Sequence, residues 1–566
     1  MLPRARAFSL IDVVVGVALL LVLFMALFGV LRASLVLSTV AKAQAAAVEL
    51  ANTQMEYLRG LSYDSLGTVG GIPSGAVPQY ATSTVDGIQY VTRTYVEYYD
   101  DPADGIGVND SNGVTTDYKV GKVTVSYSYE GLAKSIVLVS NFVPPGLESS
   151  TGGGTLVLHI VGAAGQNLSD ASVQIVNAST TPAVNFTTFS DTSGLVMIGG
   201  AATSSMYQIY VSRSGYSSAQ TYARAGQNVN PTPGYLTVVK NQTTSATFAI
   251  DQLSSLTLSS FSPATTTAFS DLFSNASNLA SQTNTQVAGG ALTLASQALS
   301  GNAHSISIAP NALAGWGILS ATISTPNGTT AVIRVDDASG NPVPDAMLPG
   351  NAAGFSSFPI SLTAIATSTY PALTLEADLT SNATTTTSSI LDWSLSYTQG
   401  LLALSNVSFT LTGAKTIGTN GSGLPIYKTI VNDTTGATGT VTEPLEWDAY
   451  TLGLGGGNLI EACPSSPISL MPAQASSTAL IVGQPTQNTL LAAIQDGSHN
   501  VISGARVTLA KAGYAATVPT SACGLAYFGG LAAGTYSASV SAAGHTTTVF
   551  PNISVAGHAT TTLTLP

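Results

Sequence analysis

The stretch RAFSLIDVVVGVALLLVLFMALFGVLRAS, from Arg6 to Ser34, divides the chain into a short leader and a long body. Between Phe8 and Leu31 it carries one charge, Asp12. At about 1.5 Å per helical residue the run reaches about 36 Å, enough to cross a bilayer with some tilt. Arg4 and Arg6 precede it, which places the N-terminus in the cytoplasm and the body on the other side. A carboxylate in lipid costs at least about 2.5 kcal/mol and marks function. A cleaved secretory signal is a competing reading, with Ala41-Lys42-Ala43 as a small-x-small site. The run is longer than an ordinary signal core, however, and Arg32 stands between it and that site. A plain anchor needs no acid near its start.

Beyond the membrane, Val36, Val40, Ala43, Ala47, Leu50 and Tyr57 recur at helical spacing and predict one apolar stripe. The glycines of GLSYDSLGTVGG, 60–71, end the helix. The rest is low in charge: 8% of 566 residues, net −12, with a pI near 4.7, which argues against a nucleic-acid partner. Runs of Val, Thr, Tyr and Leu bounded by Gly, Asn, Asp and Pro read as strands and turns. GIQYVTRTYVEYY, DYKVGKVTVSYSY and SIVLVSNF are strands of a first head, and VPPGLESSTGGG is a linker.

The residues AFSLIDVVVGVALL resemble the type IV prepilin signature: a basic leader, a small residue, Phe-Ser-Leu-Ile-acid and an apolar helix. That resemblance implies cleavage between Ala7 and Phe8 by a prepilin peptidase and methylation of Phe8. Asp12 is then the acidic fifth residue, pairing with the free amine of a neighbouring subunit and setting register. The family's usual residues at these places are Gly before the cut and Glu as the acid; here they are Ala7 and Asp12.

Three later segments share an order of turn Gly, strand and Tyr-led strand: Gly194 with Tyr207, Gly439 with Tyr450, Gly524 with Tyr536. They resemble carboxypeptidase regulatory-like and Cna-B-like domains, which are transthyretin-like sandwiches. The first and last copies match best. The expected fold class is therefore mostly β: a long N-terminal transmembrane α-helix, a small α+β pilin-like head, then tandem β-sandwiches. The expected parts are a leader 1–7, a helix 8–62, a head 63–142, a linker 143–154 and a regulatory-like sandwich 155–252. A larger sandwich or jelly roll at 253–400 and two further regulatory-like sandwiches at 401–485 and 486–566 follow.

These readings imply a filament-competent, pilin-like or pseudopilin-like minor subunit. Its partners are other pilin-like subunits, assembly machinery, the prepilin peptidase, the cytoplasmic membrane and a surface ligand or glycan. The short N-terminus is cytoplasmic and the body extracytoplasmic, at the cell surface or in a filament after processing. A type IV pilus, type II secretion and DNA uptake all remain open. The alternative is an anchored adhesin or carbohydrate-binding protein that never polymerises.

No enzyme is expected. His159, His304, His499, His545 and His558 stand in no H-x-x-E or H-E-x-x-H spacing. One stretch, YYDDPADGIGVNDSNGVTTDYK, offers calcium the hard oxygens of Asp100, Asp101, Asp104, Asn109, Asp110, Asn112 and Asp117, although such residues also crowd ordinary turns. No other cofactor is expected. Trp393 and Trp447 read as core, as does Trp316, the best of the three for a sugar platform. The only two cysteines, Cys463 and Cys523, both lie beyond the span, and a disulfide between them is expected; two free thiols are the alternative.

Overall fold

The computed structural model describes residues 10–103, 105, 114, 116–129, 131–145, 152–455, 458–483 and 486–566. The protein is mostly β behind one long helix, Leu10–Arg59. It divides into two compact units, 1–253 with 416–428, and 254–415 with 429–566.

In the first unit the helix changes character along its length. Leu20, Phe24 and Phe28 are exposed, whereas Ala43, Ala47, Ala51, Met55 and Leu58 are buried. The buried seam lies on an antiparallel meander of Tyr80–Val85, Ile88–Tyr99, Tyr118–Tyr129 and Leu132–Phe142. Small Ala side chains let the helix approach this sheet. Tyr57 leaves the expected stripe and is 49% exposed. The seam advances in steps of four from Ala43 to Met55, each rotating it by about 40°, so Leu58 takes the place foreseen for Tyr57. Tyr80–Val85 is a strand additional to the expected three; its YATSTV is an exposed edge without apolar alternation.

The head and the first sandwich share a core, with Ile72 and Tyr95 packed among Leu156, Leu158 and Phe186. The contact covers the sandwich's edge strand Val184–Phe189. Asn185 N–H donates to Gly70 O (2.8 Å), and Arg93 donates to Thr187 O (2.6 Å) while lying over the Phe189 ring. An edge so covered cannot template pairing with another chain.

Three sandwiches share one skeleton. In each, a first strand lies between an antiparallel neighbour and a parallel last strand. These trios are Gly154–Val161 with Leu195–Ala201 and Thr243–Ala249; Ser254–Ser262 with Thr440–Leu445 and Ala475–Gly483; and Thr489–Asp496 with Leu525–Phe528 and His558–Leu565. A second sheet faces each trio. The turn glycines Gly194, Gly439 and Gly524 all have φ between +72° and +75°. Their carbonyls accept from the N–H of Ile160, Ser260 and Ile494. Tyr207, Tyr450 and Tyr536 are buried and donate to the carbonyls of Ala202, Glu446 and Ala532. Ser190, Thr435 and Thr520 repeat a further bond, their hydroxyls accepting from Ala171, Val407 and Ala505 N–H.

The middle copy is discontinuous, and this corrects its expected start at 401. Ser254–Ser262, expected in the larger sandwich, is its first strand, and Leu256 and Leu258 share a core with Phe409, Leu411 and Tyr450. The bond from Leu168 N–H to Ile160 O recurs as Ile502 to Ile494 in the last copy, across a short loop. In the middle copy it runs from Leu404 to Ser260, and these two residues are 144 positions apart. The larger sandwich is thus an insertion in that loop. Its two antiparallel sheets enclose Phe273, Trp316, Leu375 and Trp393. Thr416–Lys428, also expected in the middle copy, belongs to the first unit, where Thr416–Thr419 pairs with Asn230–Pro231.

Candidate functional site

The first candidate is the N-terminal helix. Val13–Arg59 is long and apolar enough to cross a membrane, and its most apolar window has none of its surface buried in the protein. Asp12 lies in the first turn of Leu10–Arg59. Ala7 and Phe8 lie outside the described residues.

Of the acidic-loop residues, Asp104, Asn109, Asp110 and Asn112 also lie outside the described residues. Asp100 and Asp117 are buried at the loop's base, and Asp117 accepts from Asp101 N–H, while Asp101 accepts from Ala103 N–H (3.0 Å). These are bonds that shape a turn. Among the described residues no group of three His, Cys, Asp or Glu gathers in a metal-holding arrangement.

Cys463 and Cys523 are joined, with Cα atoms 5.7 Å apart. Cys463 ends a strand of the middle sandwich, Asn458–Cys463, and Cys523 sits in the Gly524 turn of the last. Beside the bond, Ser521 hydroxyl donates to Glu461. Burial raises the Glu461 carboxyl above its usual range. The tryptophans offer no exposed platform. Trp316 and Trp393 are buried, Trp316 donating to Tyr370 O (2.9 Å), and half-buried Trp447 has Lys415 Nζ 3.2 Å from its ring centre.

Sequence reasoning missed one cluster. On the inserted sandwich, Ser300–Ser305, Leu373–Ser381 and Thr329–Asp337 are neighbouring strands. Ala303, Val335, Leu375 and Ala377 point into the core, so their alternates His304, Arg334, Asp336, Glu376 and Asp378 share the other face. Arg334 pairs with Asp378 and with Glu376 (3.5 Å). His304 lies between two acids, Nε2 3.5 Å from Glu376 and Nδ1 3.8 Å from Asp336. The Asp336 side chain is 1% exposed, and burial pushes its carboxyl up to about 6. The arrangement can hold or release a proton near neutral pH and tie three strands together. Its trace in the sequence is the alternation of charges in VIRVDD and TLEADL, within a chain where charges are scarce.

Residues 489–566 match the family model of the carboxypeptidase regulatory-like domain. Comparison with curated proteins finds no match. Among solved structures, the chain is similar to the Bacillus anthracis TIE protein at 10% identity and TM-score 0.16, covering 86% of this chain and 73% of that one. It is similar to BcpA, the major pilin subunit of Bacillus cereus, at 10% identity and TM-score 0.13, covering 73% and 99%. For the shaft pilin SpaA of Lactobacillus rhamnosus GG the values are 14%, 0.12, 29% and 89%. Likenesses of this degree carry no argument on function.

Proposed function

We propose that the chain is a minor pilin-like or pseudopilin-like subunit whose helix is held in the cytoplasmic membrane and can enter a filament, displaying the sandwiches outside for adhesion or surface structure. Its role is structural rather than catalytic. The observation that carries the reading is the helix itself. One unbroken element is apolar and uncovered at its start, carries Asp12 in its first turn and is docked on a β head at its end. A bare anchor needs neither the acid nor continuity into the head. In lipid Asp12 needs a partner, and the amine of a processed neighbour supplies one.

N-terminal sequencing with intact-mass measurement tests this. A mature chain beginning at methylated Phe8 is expected. One retaining Met1 favours the non-polymerising adhesin, and one starting near Gln44 refutes the anchor. Asp12→Ala should leave membrane insertion intact and abolish assembly; normal incorporation of that variant overturns the role of Asp12.

A further inference from the structure

In the three sandwiches that share the skeleton, the first and last strands lie side by side and parallel. The registers run from Thr155↔Thr243 to Val161↔Ala249, from Ser255↔Ala475 to Phe261↔Ile481, and from Thr489↔His558 to Asp496↔Leu565. In a parallel pair the chain enters at one end of the ladder and leaves at the other. Tension along the chain therefore slides the two strands past each other along their axes. The evenly spaced hydrogen bonds of a parallel ladder are then loaded together. Where the end strands are antiparallel, entry and exit share one end, and the same tension opens the bonds one after another.

We propose that the parallel ladder is a tensile clamp, so that the displayed body carries mechanical load away from the N-terminal helix; the first sandwich is loaded strictly through its ladder, whereas the Cys463–Cys523 bond gives load a second, covalent route from the middle sandwich into the last. This rests on the reading of the chain as anchored at the helix, which makes tension the force the body meets. Each ladder is anchored on its core side, where Leu156, Leu158, Ile160, Leu256, Leu258, Leu490 and Ile494 of the first strands are at most 1% exposed, while the last strands Thr243–Ala249 and His558–Leu565 alternate exposed residues along the sheet edge. The insertion lies off the load path. Its two ends are paired to each other, Phe261 with Ala403 and Ser262 with Leu402, beside the middle clamp. While that clamp holds, tension passes from Ser254 to Gly483 and bypasses the inserted sandwich with its His304 cluster. The largest displayed module thus keeps its shape while the chain is pulled.

Single-molecule force spectroscopy on the full chain in detergent tests this on the first sandwich, which holds no cysteine. Handles attached through Ser150→Cys and Gln252→Cys pull the ladder in shear. Handles through Ser150→Cys and Thr203→Cys pull on Gly154 and Ala201, which are paired at one end of an antiparallel ladder, and so peel it. Gln252 and Thr203 are exposed, and equal thermal melting of both variants without load shows that each is folded. At one loading rate the shear pair is expected to rupture at a force about twofold or more above the peeling pair, since forced unfolding follows the unfolding barrier. Equal rupture forces in folded variants overturn the clamp. The result is independent of where the mature N-terminus lies, so failure of the clamp and failure of the anchored reading are separate outcomes.

Discussion

The last and middle sandwiches are built on the same hydrogen bonds but differ in how the chain reaches them. The last occupies one continuous stretch. The middle is opened after its first strand and closes again only at Leu404. The same Gly carbonyl, the same buried Tyr hydroxyl and the same Ser/Thr bridge appear in both. The skeleton therefore lies in a few backbone-directed bonds, and the loop after the first strand is free to carry another domain. Closing a longer loop costs only a logarithmic increment, about 0.6 kcal/mol per doubling of its length.

The largest test of this pairing concerns the bond that ties the two copies together. Closing a loop across a separation of 60 residues stabilises by about 4 kcal/mol in the chain-entropy model. Cys463→Ser with Cys523→Ser should lower protection against hydrogen exchange in the middle and last sandwiches by that order. The first sandwich, which has no such bond, should be unchanged. An equal loss in all three would mean that the copies do not respond separately.

The next effect falls on the turn glycines. A Cβ at Gly194, Gly524 or Gly439 would meet a first-strand carbonyl oxygen at 2.5, 2.8 or 2.9 Å, in a left-handed backbone that side chains resist. Each Gly→Ala change should cost about 2–4 kcal/mol by strain and overlap, measured by chemical denaturation, with Gly194→Ala the worst. A silent Gly439→Ala would remove the middle copy from the comparison.

What was legible in the sequence follows the same division. The helix could be read because its apolar run is long and local. The first and last copies could be read because their Gly and Tyr stand in unbroken chain. The first strand of the middle copy could not, since SSLTLSSFS lies far from its partners and no local pattern says which sheet it joins. The His304 cluster was hidden for a related reason: its members come from three strands brought together only by sheet pairing. The disulfide was readable by elimination, as the only two cysteines both follow the apolar helix and leave a single pairing.

A smaller effect separates the insertion from the last sandwich by sign. Burial raises Asp336 from its usual 3.8 to about 6. Between those values the folded state holds a proton that the unfolded chain has released. Its contribution is full below about pH 3.8 and is lost as pH rises through 6, on the order of 3 kcal/mol. Asp496 in the last sandwich is held below its usual range by hydrogen bonds from Asn500, side chain and backbone. Its contribution is present above its ordinary pKa and is lost on acidification. Local hydrogen exchange should therefore show the insertion tighter at pH 4 than at pH 7, while the loop around Asp496 is unchanged between them and loosens only below pH 3.8. Asp336→Asn should flatten only the first response. Parallel slopes in both regions would count against the assignment.

The smallest effect is also the most even. Tyr207, Tyr450 and Tyr536 are each at most 2% exposed, and each donates a hydroxyl bond of 2.8 to 3.0 Å to a carbonyl four or five residues earlier. Phe keeps the ring and its packing, including the cation–π contact of Lys511 and the edge-on contact of Tyr514 at Tyr536. What Phe removes is one donor, leaving a carbonyl short of a partner, at about 1 kcal/mol. The three Tyr→Phe changes should therefore cost nearly the same in denaturant unfolding followed by region-resolved exchange, although the middle copy is interrupted and the others are not. Equal costs mean that the bond acts locally and that the insertion leaves the skeleton untouched. A cost at Tyr207 and Tyr536 with none at Tyr450 would mean that the inserted sandwich, not the shared bond, holds the middle copy together.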